Sequence, residues 1–314
     1  MIATIEIFLK KYWLPVSTFI IFTIILVISL FTTSLNYFSL AVLQGFTEWL
    51  PISSSGQVMI VSISIFGIPP EQAFSLSIWM HLGTTIAVLI KLRKDYIQII
   101  KSIIPRKFEV EVGDIKKRNW LIYATIGTAI TAIPLYLLFK FVIIEGFDAT
   151  QGDVLTLVIS GFLIVTGIVL LAFRRNFGKK TIKTVSDREL VKDSSISGLI
   201  QGIAILPGIS RSGFTISTIL FEKYDQDQSL KLSFLMSVPV ALASIGIDII
   251  FGEGSVFGSI DLFTILIITA VSFIVGYLSM ELLLKIAQKI NFSYFCILYG
   301  VISFIIILPF MFFG

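Results

Sequence analysis

Seven stretches of this chain, at about 14–32, 74–91, 120–143, 154–173, 229–250, 262–283 and 292–312, are apolar and of bilayer-spanning length. A helix crosses the hydrocarbon core with roughly 17–25 such residues. Charged residues make up only 14% of the chain and hydrophobic ones 56%, whereas soluble domains carry about 25% charge. A water-soluble fold is therefore excluded. At membrane depth every backbone N–H and C=O must be satisfied internally, which favours helices, so the expected class is an all-α integral membrane protein.

The charges that remain are clustered. Of the 24 Lys and Arg, 20 lie at Lys10 and Lys11, in the 91–118 and 174–192 loops, and at Lys285 and Lys289. Basic loops between spans face the cytoplasm, so the net charge of +4 is a membrane-topology signal and no nucleic-acid partner is expected. The 14–32 stretch follows Lys10 and Lys11 and exceeds the apolar centre of a signal peptide, about 7–15 residues; with no A-x-A-like site after it, it reads as a retained signal anchor. Cys296 is the only cysteine and His81 the only histidine, so neither an intrachain disulfide nor a Cys/His metal cluster can form. His81 is expected to be a satisfied helix histidine.

Two apolar pieces are broken rather than continuous. One is interrupted at Pro51 and Ser53-Ser54-Ser55-Gly56, the other, over 195–222, at Pro207-Gly208 and Ser210-Arg211-Ser212-Gly213. The hydrophobic return after each break is only about ten residues, too short to cross alone, so each is expected to enter and leave on one side. Gln44-Gly45 and the Ser-rich break recur at Gln201-Gly202 and 210–213, an offset of 157. Each half then holds one re-entrant helical hairpin plus three transmembrane helices, an odd number of spans that gives an inverted-topology repeat. The expected organisation is 1–36 an extra N-terminal transmembrane helix, 37–173 the first repeat, 174–194 a basic cytoplasmic loop and 195–314 the second repeat. Inverted repeats with broken helices hold their sites near the repeat interface.

The chemistry-bearing residues lie at those breaks. Gln44 and Glu48 are four apart and share one helix face. A carboxylate in a membrane helix is costly and marks a site by default; its alternative is a purely structural pairing. Pro51 ends the helix, because it lacks an N–H and clashes with the preceding turn. Ser53, Ser54 and Ser55 then offer hydroxyls and free backbone N–H groups of the kind that bind phosphate oxygens. In the second break Arg211, between Ser210 and Ser212, brings a planar guanidinium suited to bidentate phosphate binding. Thr215 adds a hydroxyl from the returning helix. Glu48 and Arg211 could equally form a structural bridge, and both readings bring them together.

The stretches QGFTEWLPISSSG and LPGISRSGFT resemble the two signature motifs of the undecaprenyl-diphosphatase family, the bacitracin-resistance phosphatases, and His81-Leu-Gly-Thr-Thr with Arg93-Lys-Asp95 is similar to a further family segment. The likeness runs from about residue 38 to the end. It implies hydrolysis of a polyprenyl diphosphate to the monophosphate with a divalent cation, Mg²⁺ or Ca²⁺, in recycling a carrier lipid for cell-envelope glycans. Glu48 matches the motif's second acid, Gln44 its Glu-or-Gln position and Ser54 its motif serine; Ser210, Arg211, Ser212 and Thr215 match the second motif, which includes Gly213. The expected metal ligands are Glu48 with Gln44, the catalytic residues Glu48, Ser54 and Arg211, and Ser54 the nucleophile with a metal-activated water as runner-up. Ser53, Ser55, Gln57, Ser210, Ser212, Gly213 and Thr215 are the expected substrate contacts. Gln57 stands where many members carry a histidine, and glutamine cannot shuttle protons. The protein is expected in the plasma membrane with a cytoplasmic N-terminus and an outer C-terminus, a homodimer being a possible assembly. The competing reading from the inverted repeat is a polyprenyl-phosphate flippase.

Overall fold

A computed structural model of the protein describes residues 35–103, 109–144, 152–173, 178–251, 256–289 and 292–313, together with Ile20, Thr23, Ile24, Val27 and Ile28. Those five positions are helical and exposed; the rest of the expected 14–32 anchor lies outside the described residues. Among the described residues the structure is helical, apart from isolated bridges pairing Lys180 with Tyr224 and Phe257 with Ile260.

The first half contains α1 (Leu35–Thr47), α2 (Ser54–Ile60, continuing as a π-turn Val61–Ile65), α3 (Pro70–Trp79), α4 (His81–Lys91), α5 (Arg93–Lys101), α6 (Val112–Leu138, ending in a π-turn Phe139–Ile144) and α7 (Gly152–Phe173). The second contains α8 (Asp187–Ile203), α9 (Arg211–Phe221), α10 (Gln226–Phe251), α11 (Leu262–Lys289) and α12 (Phe292–Phe313). Among the described residues, five apolar segments are long enough to cross a bilayer: Pro70–Lys91, Val112–Val142, Gly152–Ala172, Gln226–Ser259 and Leu262–Ile286. The chain is a multi-pass membrane protein.

Boundaries follow local chemistry. The first full span begins at Pro70, in the first turn of α3, where the missing N–H costs nothing, and it carries a turn at Met80. Helix α8 starts at Asp187, inside the stretch expected as the 174–194 loop. Ser186 and Glu189 form a capping box there, satisfying two otherwise orphaned N–H groups. Pro239 lies inside α10 and cannot donate to the carbonyl of Leu235. The hydroxyl of Tyr96 donates to that oxygen at 2.8 Å instead, so the break in the helix ladder becomes a tie to α5.

The main packing pairs are α6 with α8, α7 with α12, and α11 with both α1 and α4. The first arm of each broken piece thus rests on a span from the other half. Backbones meet closely at these contacts because glycine permits it: a Cβ on Gly198 in α8 would lie 2.2 Å from the Ala124 carbonyl oxygen in α6, and one on Gly45 in α1 would lie 2.7 Å from Val275 in α11. Such small-residue seams suit membranes, where tight packing replaces the hydrophobic drive between helices. Near the basic loops, Asp95 of α5 ties Lys117 of α6 at 2.8 Å and Lys231 of α10 at 2.9 Å. Burial raises the Asp95 carboxyl, but the two ammonium groups outweigh it and hold the acid below its ordinary value.

Candidate active site

The two breaks are built alike and meet tip to tip. Ser53 caps α2 and its hydroxyl accepts from the Gly56 N–H at 3.3 Å. Ser210 caps α9 and accepts from the Gly213 N–H at 3.1 Å. Each serine occupies the N-cap, where its oxygen satisfies an orphan amide of the first turn. The Ser53 hydroxyl also accepts from the Gly208 N–H at 3.0 Å, joining one tip to the other. Gly208 has φ 101, and a Cβ there would lie 2.4 Å from the Ile159 carbonyl oxygen, so conformation and space both require glycine.

Glu48 follows α1 and is only 5% exposed. Its Oε2 accepts from Ser54 Oγ at 2.7 Å and from Gln44 Nε2 at 2.8 Å, and His81 Nε2 lies 3.2 Å from the same oxygen. Its Oε1 accepts from Arg211 Nη2. A buried carboxylate persists only when paired and hydrogen-bonded, and here every donor comes from a different stretch of chain. Arg211 Nη1 is buried and has no partner among the described residues. A buried donor left unsatisfied carries a desolvation penalty, and an acceptor brought by a ligand would remove it.

These groups face one open cavity. Glu48, Ser53, Ser54, Ser55, Ser210, Arg211 and Ser212 all line it. Other expected site residues do not. Gln44 is fully buried behind Glu48. Gln57 turns its amide back to the Ile52 carbonyl oxygen at 3.2 Å. Thr215 donates to the Arg211 carbonyl at 2.8 Å and lies 2.5 Å from Ser233 Oγ, bracing α9 behind the cavity wall. Gly213 is buried beneath its Ser210 cap.

His81 is the residue that sequence reasoning missed. Its Nδ1 does meet the Ser77 carbonyl oxygen at 2.6 Å within its own helical segment, as expected of a satisfied helix histidine. Yet the turn at Met80 directs the opposite ring nitrogen at Glu48, and the ring lines the cavity. Both nitrogens therefore face acceptors. The one local signal was a lone histidine inside an apolar span. Gln201, the repeat counterpart of Gln44, lines the cavity as well and is 2% exposed.

A hard divalent cation takes oxygen ligands, and Mg²⁺ is commonly held by one or two carboxylates together with phosphate oxygens of the substrate. No group of three His, Cys, Asp or Glu side chains converges among the described residues. Glu48 supplies the carboxylate on the cavity, and the Oε1 of Gln44 behind it is buried without a partner. This donor set fits an ion that arrives with a diphosphate better than a cage built by protein alone.

Fold and site together define a multi-pass membrane protein with a buried acid–guanidinium pair and a serine bonded to the acid on one cavity. The model of the bacitracin resistance protein BacA family matches residues 37–305, and the chain belongs to that family. It is 38% identical over 264 residues to an undecaprenyl-diphosphatase of Methanothrix thermoacetophila, covering 84% of this chain and 93% of that one. It is 36% identical over 269 residues to a protein of the same name from Methanococcoides burtonii, covering 84% and 94%, and 34% identical over 271 residues to one from Methanopyrus kandleri, covering 84% and 93%.

Proposed function

We propose that this protein hydrolyses a polyprenyl diphosphate of the undecaprenyl type to the monophosphate and inorganic phosphate, recycling a lipid carrier for envelope glycan synthesis. The observation that carries this reading is Ser54 Oγ donating to Glu48 Oε2 at 2.7 Å, with Arg211 on the other carboxylate oxygen. A hydroxyl bonded to a carboxylate is an activated nucleophile, and a guanidinium beside it can stabilise charge on a transferred phosphoryl group. Names of the relatives agree with this chemistry.

In the proposed reaction, Ser54 Oγ attacks the terminal phosphorus while Glu48 takes its proton. The bond from that phosphorus to the bridging oxygen breaks and the polyprenyl monophosphate leaves. Water then attacks the phosphoserine, inorganic phosphate departs and Ser54 regains a proton. Arg211 turns its unpartnered Nη1 to the phosphoryl oxygens, and the hydroxyls of Ser53, Ser55, Ser210 and Ser212 line their approach. His81 holds the same Glu48 oxygen that Ser54 bonds. Glu48, with Gln44 nearby, would hold a divalent cation, Mg²⁺ or Ca²⁺, whose charge would offset that of the diphosphate. The reading includes an inverted repeat with two re-entrant hairpins, supported by the matching serine caps and by α1 resting on α11 as α8 rests on α6. It also includes a plasma-membrane location with the N-terminus in the cytoplasm, supported by the basic loops.

The test is phosphate release by the purified protein from undecaprenyl diphosphate with Mg²⁺ or Ca²⁺, beside Ser54→Ala and a chelated control. Turnover lost in Ser54→Ala and on chelation supports the reading. No release from any polyprenyl diphosphate sinks it, and full activity of Ser54→Ala sinks the serine as nucleophile.

A further inference from the structure

Asp248, near the end of α10, is 2% exposed and lies inside the apolar span Gln226–Ser259. A carboxylate in a membrane span is costly and by default marks function. Asp248 stands behind the cavity wall, one helical turn beyond Ser244, which lines it. Its Oδ2 accepts from Ser75 Oγ at 2.7 Å and from Trp79 Nε1 at 2.9 Å. Both donors are buried and belong to α3, Ser75 in its middle and Trp79 at its last residue. Ser75 Oγ also accepts from the Val256 N–H at 2.8 Å, and the Trp79 ring stacks on Phe257 with centroids 5.7 Å apart. One oxygen therefore fastens α3 to the end of α10 and to the segment that follows it.

What α3 carries at its own end is the turn at Met80 and then His81, two residues past the clamped indole. The imidazole is suspended between the two structures. Its Nδ1 meets the Ser77 carbonyl oxygen of the clamped helix at 2.6 Å, and its Nε2 lies 3.2 Å from Glu48 Oε2. Successive helical residues are about 100° apart around the axis, so a small rotation of α3 carries the Ser77 carbonyl and the Met80 turn with it. The imidazole would then swing off the carboxylate.

We infer that Asp248 is a positioning residue: by holding Ser75 and Trp79 it sets the direction in which the Met80 turn presents His81 to Glu48. For its effect on turnover the inference rests on the proposed phosphatase reading; its effect on His81 does not. Both donors to Asp248 are neutral, so the clamp needs an acceptor rather than a charge. An asparagine oxygen can accept both bonds, and alanine accepts neither.

His81 is the only histidine, so protein carrying isotope-labelled histidine gives the ring-nitrogen NMR signals of that one imidazole. These signals are compared in detergent for wild type, Asp248→Ala, Asp248→Asn, Trp79→Phe and Glu48→Gln, alongside Tm and phosphate release from undecaprenyl diphosphate. Asp248→Ala is expected to move the His81 signals in the direction that Glu48→Gln moves them. It should lower kcat about tenfold or more, the usual cost of removing an orienting partner, with KM within about twofold of wild type. Asp248→Asn should keep the signals in place and kcat within about threefold of wild type. Added to His81→Ala, Asp248→Ala should cost nothing further in kcat, because both act through one contact.

A clamp that serves only the fold lowers Tm, leaves the His81 signals where they are and adds its loss to that of His81→Ala. Any of these last two results overturns the inference, as does an asparagine variant as impaired as alanine. If Asp248→Ala does not fold, Trp79→Phe decides, since it deletes one donor and keeps a ring against Phe257; unmoved His81 signals in that variant overturn the inference too. Moved His81 signals in a wild-type background that releases no phosphate would remove the phosphatase reading and uphold the clamp.

Discussion

Ser53 Oγ accepts the backbone N–H of Gly208 at 3.0 Å, a hydrogen bond between residues 155 apart that ties the tips of the two broken helices. The same oxygen caps α2 by accepting from Gly56 N at 3.3 Å, while Ser53 itself holds a left-handed φ of 59. One hydroxyl therefore fixes both the local turn that presents Ser54 and the long-range register that presents Arg211.

Ser53→Ala is expected to leave two buried N–H groups without their acceptor, at a cost of about 1–3 kcal/mol per unsatisfied group. Thermal unfolding in detergent should show a lower Tm, and phosphate release should fall with it. Ser53→Gly relieves the left-handed backbone but restores neither bond, so it should rescue little. A Tm for Ser53→Ala equal to wild type would show that the tips are held by other contacts.

Arg211→Lys keeps the positive charge and loses the planar fork that reaches Glu48 with one nitrogen and leaves another free. Lysine offers a point charge in place of two directed donors. The expected loss in kcat is on the order of 10²-fold, the usual size for removing an anion-stabilising donor. Glu48→Gln should be no better, since it removes the base for the Ser54 proton and leaves the guanidinium without its counter-charge. Steady-state phosphate release on purified variants decides the matter, and a lysine variant within a few-fold of wild type would contradict the assigned role.

His81→Ala and Gln57→Ala should differ sharply. His81 lines the cavity and lies 3.2 Å from Glu48 Oε2, so its loss should lower kcat by about 10–100-fold, the usual cost of removing a partner that orients a metal-ligating side chain. Gln57 only bonds the Ile52 carbonyl; its alanine variant should retain activity within about threefold and lose mainly stability, about 1 kcal/mol for one hydrogen bond. Kinetics reversing this order would mean that the imidazole serves the fold alone.

Glu222, at the end of α9, accepts from Ser197 Oγ at 3.1 Å. Burial first, and then the neighbouring Asp193 carboxylate, push its acid up to about 9, against the pull of Lys180 and Lys192. The folded protein therefore holds this proton where an unfolded chain, with an ordinary carboxyl near 4.5, releases it. Stability from this group is complete below the unfolded value and declines as pH rises toward about 9, where the folded form also ionises. Glu222→Gln should flatten that part of the pH profile and raise Tm at pH 8 relative to wild type. An unchanged slope between mildly acidic and alkaline pH would show that Glu222 is not held neutral.

What the amino-acid sequence by itself determined is local or compositional. Apolar length set the membrane class and five of the seven expected spans, because a bilayer demands about 20 apolar residues per crossing helix. Pro51 and the serines after it marked the breaks, because proline cannot continue a helix. The matching pairs Gln44-Gly45 and Gln201-Gly202 pointed to two equivalent breaks, and the isolated charges at Glu48 and Arg211 pointed to each other, since a lone charge in lipid needs a partner. Even the start of α8 was written in Ser186 and Glu189, although the loop's basic residues obscured it. Only the tertiary structure decided which side chains reach the cavity. Gln57 and Thr215 occupy motif positions yet turn into the wall, where the Ile52 and Arg211 carbonyls take their hydrogen bonds. His81, 33 residues beyond Glu48, arrives because α4 packs on α11, which also carries α1. The direction of a side chain follows from the packing of helices distant in sequence, and a one-dimensional pattern does not contain that packing.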